Sequence, residues 1–162
     1  MTTLLPDIKF LLAHPAHLIA FGFGSGLARK APGTVGTLLG LPLFWLVVAV
    51  APDLPNQIIL LIAAFLLGVW ACGRTGHALG VADHGGMVWD EIVAFALVLL
   101  FTPAGWGWLA LAFVLFRLFD ILKPWPIRLA DAHLKSGFGV MFDDLLAAGF
   151  AIAAIKGLQW LV

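Results

Sequence analysis

The chain has 162 residues, of which 62% are hydrophobic and 11% charged, and its formal net charge is zero. That balance excludes a basic nucleic-acid-binding surface, and the single cysteine, Cys72, excludes an internal disulfide or a cysteine-built zinc cage. A length of this order fits one domain, and the composition points to a membrane protein.

The N-terminal stretch Leu4–Phe21 is apolar but interrupted by Pro6 and Pro15 and carries Asp7, His14 and His17. It lacks the basic lead of a cleavable signal peptide and reads as an interfacial helix lying on the bilayer. Residues 21–37 then form a glycine-rich loop with two cations, Arg29 and Lys30, leading into a helix for which Thr34 is a plausible cap. Free backbone amides at such a helix start can hold an anion, which makes Ser25, Lys30, Thr34 and Thr37 candidate substrate-binding residues. Gly24-Ser25-Gly26 is neither a nucleotide loop nor a nucleophile elbow, because the flanking pattern of each is missing.

Five segments are predicted as spans: Thr34–Val50, Gln57–Cys72, Met87–Phe101, Trp106–Leu122 and Leu145–Val162. A span takes about 20 residues, with a lower range of about 17, so the shorter ones need their polar ends to extend the helix. Proline- and glycine-containing turns at residues 51–55 and 102–105 separate them. The predicted fold is therefore all-α, a multi-pass transmembrane bundle with an N-terminal interfacial helix. Arg29, Lys30, Arg74, Lys123, Arg128 and Lys135 all fall on one side of this topology, and the opposite loops have no Lys or Arg. By the positive-inside rule that side is cytoplasmic.

The acids gather on the same side in three clusters. The first is Asp83-His84-Gly85-Gly86-Met87-Val88-Trp89-Asp90-Glu91, with two carboxylates in the opening turn of a span and His84 just before it. The second is Arg117, Asp120 and Lys123, whose spacing drifts only about 60° per step on a helix, so that they share a face. The third is Asp143-Asp144, after Gly137-Phe138-Gly139; the alanines 147, 148 and 151 follow Asp144 on a related face, so Asp144 is expected to point into the bundle. Ionisable groups at membrane depth cost on the order of 2.5–3.5 kcal/mol each, so their retention points to chemistry. Carboxylates delivered to one end of one bundle suit a hard cation such as Mg²⁺, with phosphate oxygens completing its shell. Glu91, Asp120, Asp143 and Asp144 are the candidate ligands, Asp90 or Asp143 the candidate base, and Arg117, Lys123 and Arg128 the candidate phosphate contacts. With no cysteine phosphatase loop and no Asp-x-Asp nucleophile, metal-assisted attack by water or by a carboxylate is the chemistry left.

Four segments resemble the phosphatidylglycerophosphatase A family of bacterial membrane enzymes: residues 22–27 with 31–37, 83–91, 116–128 and 137–144. The resemblance implies Mg²⁺-dependent removal of the terminal phosphate from phosphatidylglycerophosphate to give phosphatidylglycerol, at the cytoplasmic face of the inner membrane. Met87 stands where the family usually has Ile. A membrane phosphotransferase acting on activated lipid head groups would need a longer spread of aspartates than this chain has. A small ion carrier would need ionisable groups at the centres of the spans, which hold none.

Overall fold

The computed structural model describes residues 6–161. Two residues of the expected interfacial stretch, Leu4 and Leu5, and the last residue of the expected final span, Val162, lie outside it. Among the described residues all regular structure is helical. The interfacial stretch is two short helices, α1 (Ile8–Leu12) and α2 (Pro15–Ala20). Asp7 caps α1 by accepting from the Phe10 amide at 2.8 Å, and His14 caps α2 by accepting from the Ala16 amide at 3.1 Å, with Pro15 in the first turn. A 3-10 turn over Gly22–Leu27 leads to α3 (Pro32–Val50), followed by α4 (Leu54–Leu79), α5 (Trp89–Leu100), α6 (Trp106–Leu122), α7 (Ile127–His133) and α8 (Gly137–Gln159).

Three of these, α3, α4 and α8, are long and apolar enough to cross a membrane. α4 extends beyond the expected Gln57–Cys72 at both ends, and α8 begins eight residues before the expected Leu145. The expected span over Met87–Phe101 is instead the 12-residue helix α5, about 18 Å long at 1.5 Å per residue. Its length is explained by its position. Nine of its residues are buried, so it is the axis of the bundle, walled by α3, α4, α6 and α8 rather than by lipid. The outer walls are apolar and open: Leu38, Trp45, Leu46, Ile59, Ile62, Leu66 and Trp70 on α3 and α4 are all exposed. A continuous exposed apolar surface of that kind belongs in a bilayer.

Small residues let the walls close on α5. A Cβ on Gly36 would strike Val88, and one on Gly40 would meet the Ile92 carbonyl and the Phe95 ring at 3.0 Å. A Cβ on Gly68 of α4 would strike Met141 and Trp89, and Gly137 sits against the backbone of Val69 and Gly73. Ala147, Ala148 and Ala151 give α8 its buried face. In hydrocarbon, where apolar burial drives no association, close backbone approach supplies the packing contacts.

Candidate active site

The carboxylates are brought together by three chain segments. Asp90 and Glu91 occupy the first turn of α5, where the helix dipole favours negative charge. Asp144 lies two turns inside α8. One oxygen from each of Asp90, Glu91 and Asp144 falls within 4.8 Å of the others, close enough to share one ion. Asp90 and Asp144 are buried, and among the described residues neither has a cationic partner. Asp90 Oδ1 accepts only from the Glu91 amide, at 3.0 Å.

Arg117 of α6 borders the trio. Its Nη1 lies 2.6 Å from Asp120 Oδ2 and 3.4 Å from Glu91 Oε1, and it donates to Thr37 Oγ1 at 3.3 Å. Thr37 in turn donates to the Gly33 carbonyl at 2.8 Å. The Asp120 carboxyl neighbours those of Glu91 and Asp144. Gly33, in the first turn of α3, makes this arrangement possible: a Cβ there would collide with Glu91 Oε1 and lie 3.2 Å from both terminal nitrogens of Arg117.

Among the described residues three buried atoms of the cluster have no partner: Glu91 Oε2, Asp144 Oδ2 and Arg117 Nε. A buried unsatisfied polar atom costs about 1–3 kcal/mol, and more when charged. Two acceptors and one donor left open at one point fit an oxygen-coordinated cation and an anionic ligand together. The donor set is entirely oxygen, as a hard cation requires.

The other candidate residues are placed differently. Asp143, expected as a ligand, turns away from the trio and pairs with Lys123, because consecutive helical residues point about 100° apart. Lys123 also holds Asp131 at 3.2 Å. Burial favours its neutral amine, but the hydrogen bonds and charges of Asp143 and Asp131 outweigh this and raise its pKa, so it stays protonated. Lys123 thus ties α6 to α7 and α8 instead of reaching the trio. His84 accepts from the Gly86 amide at 3.1 Å and packs on Phe21, shaping the loop before α5. Ser25 donates to the Gly22 carbonyl at 2.9 Å, which closes the 3-10 turn. Thr34 is not the cap of α3; Ala31 holds that position in the left-handed region, with Pro32 next. Lys30 and Arg128 are exposed. Sequence reasoning missed Gly33 and Asp131. The spacing of Gly33, Gly36 and Gly40 along one helix face was the available signal for the first; nothing in the sequence pairs Asp131 with Lys123.

The family model for phosphatidylglycerophosphatase A matches residues 18–159, which covers the trio, Arg117 and all four wall helices. The chain belongs to the phosphatidylglycerophosphatase A family. It is 46% identical to the phosphatidylglycerophosphatase A of Haemophilus influenzae over 163 aligned residues, 99% of this chain and 98% of that one. It is 40% identical to the Escherichia coli phosphatidylglycerophosphatase A over 86% of this chain and 80% of that one. A Bacteroides thetaiotaomicron protein with the provisional name phosphatidylinositol-3-phosphatase is 37% identical over 90% of this chain and 94% of its own. No solved structure matches the chain.

Proposed function

We propose that this chain hydrolyses the terminal phosphate monoester of phosphatidylglycerophosphate, releasing phosphatidylglycerol and inorganic phosphate. The observation that carries the reading is the buried Asp90–Glu91–Asp144 group with its unpartnered oxygens, in a chain that belongs to this family over nearly its whole length.

Mg²⁺ is the proposed cofactor. Glu91 and Asp144, which carry the open oxygens, would hold it, and bound there it would supply Lewis acidity to the phosphoryl group and the attacking water. Asp90, with no cation of its own, takes the proton from that water as its oxygen bonds to phosphorus. The bond from phosphorus to the glycerol oxygen breaks, and that oxygen is protonated by water at the cytoplasmic end. Arg117 Nε donates to a phosphoryl oxygen, while its Nη1 keeps Glu91 and Asp120 in place. The N-terminal turn of α3 abuts the same point through Gly33 and adds the positive pole of a 19-residue helix. Lys30 and Arg128, exposed on this side, attract the anionic head group.

The site faces the cytoplasm of a bacterial inner membrane in this proposal. Six of the nine Lys and Arg residues, namely Arg29, Lys30, Arg74, Lys123, Arg128 and Lys135, lie in segments next to the site end, which supports that orientation. The test is phosphate release by purified protein in mixed micelles, with Mg²⁺ or a chelator, on phosphatidylglycerophosphate and on phosphatidylinositol 3-phosphate. Mg²⁺-dependent release from the first, well above the second, is expected. Release insensitive to chelator would remove the metal, and preference for the inositol lipid would replace the substrate.

A further inference from the structure

Thr37 lies on α3 and is fully buried. Its hydroxyl donates to the Gly33 carbonyl at 2.8 Å, the bond to the residue four back that fixes a threonine rotamer in a helix. A hydroxyl has one hydrogen, so with that committed Thr37 Oγ1 can only accept on its other side. Arg117 Nη1 stands there at 3.3 Å, and a guanidinium can only donate. Among the described residues Nη1 meets two other acceptors, Asp120 Oδ2 at 2.6 Å and Glu91 Oε1 at 3.4 Å. Asp120 sits on the same helix as Arg117, so it moves with the arginine and fixes nothing relative to α3. Glu91 carries an open oxygen and is shared with the proposed cation site. Thr37 is the neutral tether, and it comes from a different helix. The guanidinium also lies against the first turn of α3, where a Cβ on Gly33 would be 3.2 Å from both terminal nitrogens. A planar group held at one terminal nitrogen and resting on that backbone has its Nε–H direction set, and Nε is the buried donor left open.

We propose that Thr37 is a positioning residue: its hydroxyl, anchored on the Gly33 carbonyl, aims Arg117 so that Nε faces the phosphoryl group. The proposal rests on the lipid phosphatase reading and adds to it a part that touches no substrate. Thr37 acts through Arg117 alone, and it does so without altering the charge of the site. Two substitutions separate this role from core packing. Valine has nearly the shape of threonine but no acceptor, so it fills the space and loses the alignment. Serine keeps the hydroxyl and gives up only the methyl, so it keeps the alignment.

The test compares Thr37→Val, Thr37→Ser and Arg117→Lys on phosphatidylglycerophosphate in mixed micelles, with folding checked by circular dichroism. Thr37→Val should lower kcat by about tenfold to a hundredfold, the scale of a lost hydrogen bond to a charged group, with KM within about twofold of wild type. Thr37→Ser should stay within about threefold of wild type. Arg117→Lys keeps the charge but has no Nε, so adding Thr37→Val to it should cost less than about twofold more. Wild-type kcat in folded Thr37→Val, a serine variant as impaired as the valine one, or losses that multiply in full overturn the proposal while leaving the phosphatase reading intact. Wild-type protein that releases no phosphate overturns that reading instead. A second readout does not depend on turnover: nuclear magnetic resonance of protein carrying nitrogen-15 arginine. Arg29, Arg74 and Arg128 are exposed, whereas the Arg117 side chain is 15% exposed. One Nε–H signal should therefore exchange slowly with water in wild type and in Thr37→Ser, and inorganic phosphate should shift it. In Thr37→Val that signal should exchange about tenfold faster. An Arg117 signal as labile as the other three in unmutated protein, or one equally protected in Thr37→Val, overturns the proposal.

Discussion

Replacing Arg117 by Met should destabilise the protein strongly and in a way that a second substitution repairs. Arg117 is 2.6 Å from Asp120 and 3.4 Å from Glu91, and the side chains of the three are only 15%, 12% and 13% exposed. Removing the cation leaves two largely buried carboxylates next to Asp144, with like charges on every side. Breaking a buried pair costs about 3–5 kcal/mol; the slight exposure here argues for the lower end. For a chain of this size about 3 kcal/mol corresponds to roughly 6–12 °C in Tm. The assay is thermal unfolding in detergent followed by circular dichroism, in chelator and again in millimolar Mg²⁺. The Arg117→Met loss should shrink when Mg²⁺ is added, because an ion that binds only the folded site offsets the repulsion. Combining Arg117→Met with Asp120→Asn should recover at least about 1 kcal/mol relative to the sum of the single changes, since one carboxylate is neutralised with its partner. An Arg117→Met protein that melts with the wild type, or a double variant that is simply additive, would refute the reading of this cluster as a charge-balanced unit.

Gly33→Ala should fold and lose activity by about a hundredfold, because the new methyl displaces Glu91 and Arg117 from the positions Gly33 allows; phosphate release together with an unchanged circular dichroism spectrum checks this. Asp144→Asn should cut phosphate release by roughly a hundredfold or more and yet raise Tm in chelator, since it removes one of three crowded negative charges. Isothermal titration should show its Mg²⁺ binding lost in parallel. His17 is buried against Thr75, with Nδ1 3.0 Å from the hydroxyl, and burial, then His14, then Arg74 lower its pKa. The unfolded chain therefore binds the proton more readily. The stabilisation is fully present above the unfolded value of about 6.5 and is lost as pH falls through the lower folded value. Hydrogen exchange of α1 and α2 should accelerate on acidification through that window and become insensitive to it in His17→Gln.

The apolar runs, the proline and glycine breaks and the three acidic clusters are strong local signals, and they located α3, α4 and α6 and put Asp90, Glu91 and Asp144 at one end of the bundle, where the structure groups them. Lengths were less legible. Hydropathy reports that residues 87–101 avoid water, but it does not say whether protein or lipid surrounds them, so the buried axis α5 read as another span. The neighbouring acids of each pair diverged according to helical phase. Asp144 joins Asp90 and Glu91 and Asp143 does not, an outcome the alanines following Asp144 foreshadowed. Lys123 and Arg117 share a helical face, yet Asp143 and Asp131 claim the first, and only tertiary contacts could reveal that. Glycines 33, 36 and 40 are near-invisible to hydropathy because their contribution is the absence of a side chain.

The shortness of α5 bears on how the protein is made. A 12-residue helix reaches about 18 Å, well under the roughly 30 Å of hydrocarbon, so it has no stable transmembrane state of its own during insertion. It also carries Asp90 and Glu91 at its leading end. Asp144 comes from α8, so the acidic centre is complete only where α8 packs on α5. A chain without α8 lacks one of the three carboxylates.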